Sequence, residues 1–434
     1  MENPLISVLM TTYNADKYLP FSIESVLNQT YENIQFIIVD DGSTDQSRSV
    51  IESYEDPRIE FYHLDKNQHI VMATNYGRQY VRGELLAIMD SDDIWELNKL
   101  KRQLMYLQEH PEHKACFTWV NIIDENGDSA NDSQQELVKL YDAHTDTREE
   151  WLRFFFYIGN RLNNPSSIVY TDIANEIGPQ NPFYVQGQDF DWWIRLTKKY
   201  SFGILEERLI NYRRFLHSNT KNTSTVSDET DTRFYNEYMQ MRYHFFEGMT
   251  DETFIRTFKD HFRFHEASSK EELLCEKAFL ICSTFSSSSY HSALGLLKIE
   301  ELVNNPDTRT VLENTYDLLP KDFYKVTGMH LYNDPTLQSG AKEIERLQSL
   351  SKSQKEYLDF QQVHIQKLEQ EMVHKTQHEK DLEEAMQQKE ALNVQLNQQL
   401  IDANEQLAVL QERINSMENS SSWKLTKPLR SLKK

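Results

Sequence analysis

The chain has 434 residues, 68 acidic against 46 basic, and a formal charge of −22. At roughly 100–200 residues per domain it accommodates two or three domains, and 39% hydrophobic residues suffice for a real core. The acidic balance argues against nucleic-acid binding, which needs clustered Lys and Arg; Cys116, Cys275 and Cys282 are too scattered for a disulfide framework or metal spacing; and no run of ~18 apolar residues predicts a membrane span.

The first residues, Met1-Glu2-Asn3-Pro4, carry an acid and lack the basic start of a signal peptide, so a cytoplasmic protein is the default expectation. Ile6 to Met10, Phe36 to Val39 and Leu85 to Met89 read as buried strands. Between the first two, Tyr18 to Asn28 places Leu19, Ile23, Val26 and Leu27 on one helical face. Strand, helix and strand with a crossover of that length predict an open, mostly parallel α/β sheet.

Acids stand at the ends of two of these strands. Asp40-Asp41-Gly42-Ser43-Thr44-Asp45 follows Val39 directly. Ligands of open α/β sheets bind beyond the carboxyl ends of strands, where such acids suit a sugar hydroxyl or a base N–H; the plainer alternative is a helix N-cap with its turn. Asp90-Ser91-Asp92-Asp93 follows Met89 in the same way. Three carboxylates in four residues repel one another unless a cation or hydrogen bonds offset the charge. Hard oxygen donors of this kind suit Mn²⁺ or Mg²⁺ bridging a diphosphate. Farther on, Asn163 to Ser167 precedes the Ile168 to Tyr170 run and reads as a turn.

From about residue 225 strand alternation stops. Phe254 to Phe264, Glu271 to Ile281 and Ala293 to Val303 are amphipathic runs, with a Ser-rich loop at Ser283 to Ser289, and predict a small all-helical domain. After Gly340 neither Gly nor Pro recurs until Pro428. A heptad starting at Ile344 puts Leu358, Leu400, Leu407 and Ile414 at a and Leu347, Leu396, Leu410 and Met417 at d, apolar without a break from Leu396 to Met417. That argues for a coiled coil and self-association, with Asn393 at an a position to fix register. Helical throughout, the segment would be on the order of 100 Å long; the alternative is a long helix folded back on the helical domain. The last piece, from Trp423 to Lys434, carries five basic residues and no acid, with Trp and Leu interleaved. Such a tail fits peripheral contact with an anionic membrane face, at ~1 kcal/mol per basic residue, or a solvated basic terminus. The expected divisions are 1–222, 223–340, 341–420 and 421–434.

Ser7 to Asn14 (SVLMTTYN), Ser25 to Tyr31 (SVLNQTY), Val39 to Asp45 (VDDGSTD), Asp90 to Asp93 (DSDD) and Lys99-Leu100 occur in an order and spacing that resemble family 2 glycosyltransferases of the GT-A fold, over about residues 1–218. The resemblance implies inverting transfer of a sugar from a nucleotide-sugar donor, assisted by Mn²⁺ or Mg²⁺. It implies that Thr12 and Tyr13 line the nucleotide pocket and that Asp41 binds the base. Asp90 is then expected to contact the ribose or donor sugar, and Asp92 to ligate the metal. Asn67 falls at the family's Asn after the third strand; two residues on, where Gly is usual, stands His69.

The segment from Gly187 to Arg195 (GQDFDWWIR) resembles the acidic motif opening an acceptor-side helix, with Gln188 in place of its first acid. The expected general base is therefore Asp189, since an acceptor hydroxyl is too weak an acid to attack unaided. Asp191 is expected as a second contact or a charge favoured by the helix dipole. Tyr212 to Asn219 closes the region, and the resemblance implies that His217 approaches the metal or diphosphate and that Arg213 or Arg214 holds phosphate. The processive enzymes' Gln-x-x-Arg-Trp motif is not visible, so one sugar per acceptor is expected. A UDP-sugar is the default donor with a dTDP-sugar open, and the acceptor expected is a glycan or lipid-linked glycan. The competing reading is an inactive glycosyltransferase-like scaffold that assembles other enzymes through the coil. Only His69 and Gln188 favour it.

Overall fold

The computed structural model describes residues 3–144, 146–215, 228–282, 293–327, 335–374 and 379–419. It forms two compact units, Met1–Met329 and His330–Lys434.

The first unit opens with four parallel strands, β1 (Ile6–Thr12), β2 (Ile34–Asp40), β3 (Ile59–His63) and β4 (Leu85–Asp90), joined by helices α1 (Leu19–Leu27), α2 (Ser47–Glu52) and α3 (Ile70–Arg78). The chain continues through β5 (Ile94–Trp95), α4 (Lys99–Glu109), β6 (His113–Ile123), α5 (Gln135–Tyr141) and α6 (Arg148–Tyr157). It then runs through β7 (Ile168–Tyr170), α7 (Thr171–Ile177), α8 (Gln188–Thr197) and β8 (Ser201–Arg213). All eight strands make one sheet in the order β3-β2-β1-β4-β7-β6-β8-β5. The short β7 runs antiparallel to both β4 and β6, so the sheet is mixed. This is the open GT-A type of α/β architecture.

β1 and β2 are apolar runs because both faces of the sheet are covered. Val8, Met10, Phe36 and Ile38 pack with Leu19, Ile23, Val26 and Leu100 on one face. Leu9, Ile37 and Val39 point to the other face, into a core with Phe155, Phe156, Trp193 and Leu196. Register then aligns the strand ends: Thr12 lies opposite Asp40, and Thr11 opposite Asp90.

Among the described residues, six helices follow: α9 (Asp228–Tyr243), α10 (Asp251–Phe258), α11 (Lys270–Cys282), α12 (Ala293–Asn304), α13 (Pro306–Tyr316) and α14 (Asp322–Thr327). Tyr238, Met241, Phe245, Phe254 and Phe258 belong to the same core as Ile37 and Trp193. The composition change near residue 222 therefore marks a change of secondary structure within one compact unit and does not separate two cores. A satellite cluster of Cys275, Phe279, Cys282, Ile299, Leu302 and Leu312 holds α11 to α13 together. The Ser-rich stretch at 283–289 lies outside the described residues.

In the second unit, the expected rod of ~100 Å is two helices, α15 (Pro335–His374) and α16 (Glu379–Asn419). Gln354 donates to Gln399 Oε1 at 3.2 Å. Those residues are equally far from the break between the helices, so the pair folds back as an antiparallel hairpin. Leu347 and Ala403, both at d positions, are buried, while Tyr357, Phe360, Val394 and Val409, at neither a nor d, are exposed. The basic tail, 421–434, lies outside the described residues.

Candidate functional site

The β2 end is built from its two acids. Asp40 is fully buried; one oxygen accepts from the Ser43 N–H at 3.1 Å and the other pairs with His63 Nδ1 at 2.9 Å, so it is spent on the turn. Asp41 is only 2% exposed and accepts from the Gln68 N–H at 2.8 Å. Burial raises its carboxyl pKa, with the Gln68 and His69 amides opposing. At Gly42, φ is +73° and an added Cβ would stand 2.6 Å from the Lys66 carbonyl carbon, so the acid loop lies directly on the 66–67 segment. Asn67 Oδ1 accepts from the His69 N–H at 3.1 Å. His69 itself sits at φ +72°, ψ 155°, a conformation that glycine takes freely. The departure from the family's glycine thus leaves a glycine-like backbone in place. Beside this loop, at the end of β1, Thr12 is buried with Oγ1 unpaired, and Tyr13 is 47% exposed.

At the β4 end the three acids divide their work. Asp93 is fully buried and accepts from the Arg213 N–H at 2.8 Å, tying this turn to the end of β8. Its second oxygen has no partner, and burial with Asp92 and Asp90 nearby pushes its pKa well up. Burial raises Asp92 too, against the pull of Arg213 and Arg214. Asp90 is pushed up to about 8, by burial first and then by the charges of Asp92 and Asp189. The Asp189 charge therefore reaches Asp90 although 99 positions separate them in the chain.

Asp189 lies in the first turn of α8, half-buried, and accepts from the Phe190 N–H at 2.7 Å. Burial pushes it up to about 6; the Phe190 amide and its own oppose this, and the Glu237 charge adds to it. Phe190, Trp192, Trp193 and Leu196 anchor the helix in the core, so the motif serves packing and presentation together. Asp191, also in the first turn of α8, pairs with Arg195 at 2.9 Å one turn on.

Asp90 and Gln188 line one cavity with Thr11, Asn164 and Gln180. Asn164 opens a one-turn 3-10 helix, Asn164–Ser166, where the sequence predicts a turn. Oε1 of Gln180 and of Gln188 are buried without a partner, two acceptors open toward hydroxyl groups. Tyr141, at the end of α5, is pushed up to about 12 by burial and by Asp189. Its ring meets Tyr212 edge-on at 5.8 Å. Neither Tyr141 nor Gln180 carries a motif; only tertiary packing brings them here.

The two arginines after Tyr212 differ. Arg213 is consumed by structure: Nε donates to the Asp92 carbonyl at 2.7 Å and Nη1 to the Asp124 carbonyl at 2.9 Å. That leaves Arg214, which reaches the Tyr212 hydroxyl at 3.3 Å, as the cation facing Asp92. His217 lies outside the described residues. Among the described residues, the one trio of ligand atoms within 4.8 Å of one another is His110, Glu112 and His113, at the amino end of β6 and remote from the acids. Asp90 and Asp92 nevertheless fit a hard divalent ion. Burial raises both carboxyls, and such ions commonly take one or two carboxylates and complete their shell with phosphate and water.

Residues 7–173 match the model of the family described as glycosyl transferase family 2. An uncharacterized glycosyltransferase of Methanocaldococcus jannaschii is 33% identical over 218 residues, covering 49% of this chain and 72% of that protein. A second, from Haemophilus influenzae, is 30% identical over 239 residues, 54% of this chain and 72% of that one. Over 104 residues, 24% of this chain and 41% of the relative, identity is 38% to an Escherichia coli protein named UDP-Glc:alpha-D-GlcNAc-diphosphoundecaprenol beta-1,3-glucosyltransferase.

Proposed function

The chain belongs to glycosyltransferase family 2, and on that premise we propose that it moves one sugar from a UDP-sugar to a hydroxyl of a lipid-linked or cell-surface glycan, with inversion. The observation that carries this reading is that Asp90 and Gln188, the chain neighbour of Asp189, line one cavity. A base faces the strand end where the donor's sugar would lie. Its pKa of about 6 leaves it ionised at neutral pH yet more basic than an ordinary carboxylate.

In this mechanism Thr12 and Tyr13 flank the nucleotide, Asp41 hydrogen-bonds the base, and Asn67 holds the loop beneath it. Asp90 orients the ribose or donor sugar. Asp189 takes the acceptor proton as the hydroxyl oxygen attacks the anomeric carbon from the face opposite the diphosphate. Asp92, with His217, would hold Mn²⁺ or Mg²⁺, which offsets the charge that develops on the leaving diphosphate. Arg214 adds a positive charge on the same side.

A hexosyl or N-acetylhexosaminyl group on UDP is the favoured donor, and the name of the E. coli relative supports both that nucleotide and a lipid-diphosphate acceptor. A dTDP-sugar is the runner-up. Among the described residues no helix is long and apolar enough to cross a membrane. Access to such an acceptor is assigned to the basic Trp423 to Lys434 tail as a peripheral contact. Self-association is assigned to the hairpin, whose off-seam apolar residues a second copy would cover.

A thermal-shift panel of UDP, dTDP, GDP and CMP, each with and without Mn²⁺, tests the site. Ligand at ~100 times Kd stabilises by roughly 2.7 kcal/mol, so a metal-dependent rise with UDP is expected. No rise with any nucleotide, in folded protein, would favour the scaffold reading.

A further inference from the structure

Glu237 lies on α9, outside every motif of the catalytic region, and is 4% exposed. Its carboxylate closes on three successive backbone amides. One oxygen accepts from the Val185 N–H at 2.8 Å; the other accepts from Gln186 at 2.9 Å and from Gly187 at 2.7 Å. Successive amides in a turn make a concavity that binds an anion. Here the anion is a side chain from 50 residues farther along the same chain. Gly187 is the N-cap of α8, so the Glu237 charge lies on the amides that lead into the positive end of the helix. The approach is close: a Cβ on Gly187 would stand 2.1 Å from Met241 Cε, also on α9.

Val185, Gln186 and Gly187 lead directly into Gln188 and Asp189, so their placement decides where the cavity acceptor and the base point. Without Glu237 three neighbouring amides lose their acceptor together, and buried amides do not stay unpaired. The segment then has to find another conformation. We propose that Glu237 is a positioning residue for sugar transfer: its carboxylate clamps the 185–187 segment and thereby sets Gln188 and Asp189 against the Asp90 strand end. The helices after residue 228 are thus part of the catalytic apparatus. This rests on the reading of Asp189 as the base.

The test uses the full chain, and its first arm needs no variant. Hydrogen exchange resolved over residues 185–187 should show slow amides in the wild type; exchange at the rate of open loop overturns the clamp. The second arm compares Glu237→Gln and Asp189→Asn. Turnover is read as UDP release from UDP-glucose and UDP-N-acetylglucosamine with Mn²⁺, and nucleotide binding as the thermal shift with UDP and Mn²⁺. Glu237→Gln keeps one acceptor oxygen and the side chain's size. It should speed exchange at 185–187 at least tenfold and lower kcat at least tenfold, with the UDP shift and the donor KM unchanged. A kcat within twofold of wild type, beside an inactive Asp189→Asn, overturns the positioning role alone. An active Asp189→Asn removes the base reading and the proposal with it, whereas Glu237→Gln that loses the UDP shift marks Glu237 as merely structural.

Discussion

A carboxylate serves as a base near neutrality only when something lifts its pKa without neutralising it. Asp189 is lifted to about 6 by burial, with the Glu237 charge adding to it and the Phe190 amide opposing. Transfer should therefore lose half its rate near pH 6 and fall about tenfold per unit below that; a profile flat to pH 4.5 would show a different base. The same shift has a cost. The folded state holds the Asp189 proton more tightly than the unfolded chain, so its contribution to stability is full below pH ~4 and lost as pH rises through 6. His69 is a second strained residue. A side chain at φ +72°, ψ 155° costs of order 1–3 kcal/mol, so His69→Gly should stabilise the fold by ~1 kcal/mol once glycine's greater chain entropy is counted, and so raise the melting temperature. A lower melting temperature would mean that the imidazole makes contacts worth more than the strain. At this scale the sequence was informative where chemistry follows a strand: Asp41, Asp90 and Asp92 stand at aligned strand ends. It was silent on Gln180, which lines the cavity through packing, and on Glu237, which holds the 185–187 amides, and it left Arg213 level with Arg214 until the Asp92 and Asp124 carbonyls claimed Arg213.

At the scale of elements, legibility followed burial. β1, β2 and β4 are covered on both faces and read as apolar runs. β8 carries Glu206, Glu207 and Arg208 in its middle, beside a register shift against β6, and has no comparable run. α4 shows a family motif with a structural task. Lys99 is wholly buried, its Nζ 3.8 Å from the Trp95 ring centroid and donating to Gln103 Oε1 at 2.9 Å. Desolvation lowers its pKa to about 7. The unfolded chain keeps this proton up to pH ~10, so folding is penalised most below pH 7 and less as pH rises toward 10. Lys99→Met, of similar volume, leaves Gln103 Oε1 without its donor but removes the buried charge. The variant should gain on the wild type at pH 6 and lose more than half of that gain by pH 9, as read by urea unfolding at both values. An equal difference at the two pH values would mean that Lys99 is not desolvated. In the hairpin, whether the partner helix lies in the same chain or another was beyond the heptad, since a/d spacing is the same for both.

Over the whole molecule, the unit Met1–Met329 holds the sheet, the acid cleft and Glu237 around its own core, and the hairpin carries none of them. A chain ending at Gly340 should melt as the full chain does and keep its UDP–Mn²⁺ shift, while light scattering shows the loss of whatever self-association the full chain has. Loss of the nucleotide shift on truncation would place part of the donor site beyond residue 340. The central claim is that the strand-end acids and Asp189 form one working centre, and UDP release from a UDP-sugar with Mn²⁺ tests it most directly. Wild type should turn over, while folded Asp92→Asn and Asp189→Asn should each fall at least 10²-fold, the range expected for loss of a general base. Turnover in both variants equal to wild type, or none in wild type with any nucleotide-sugar, would contradict the account.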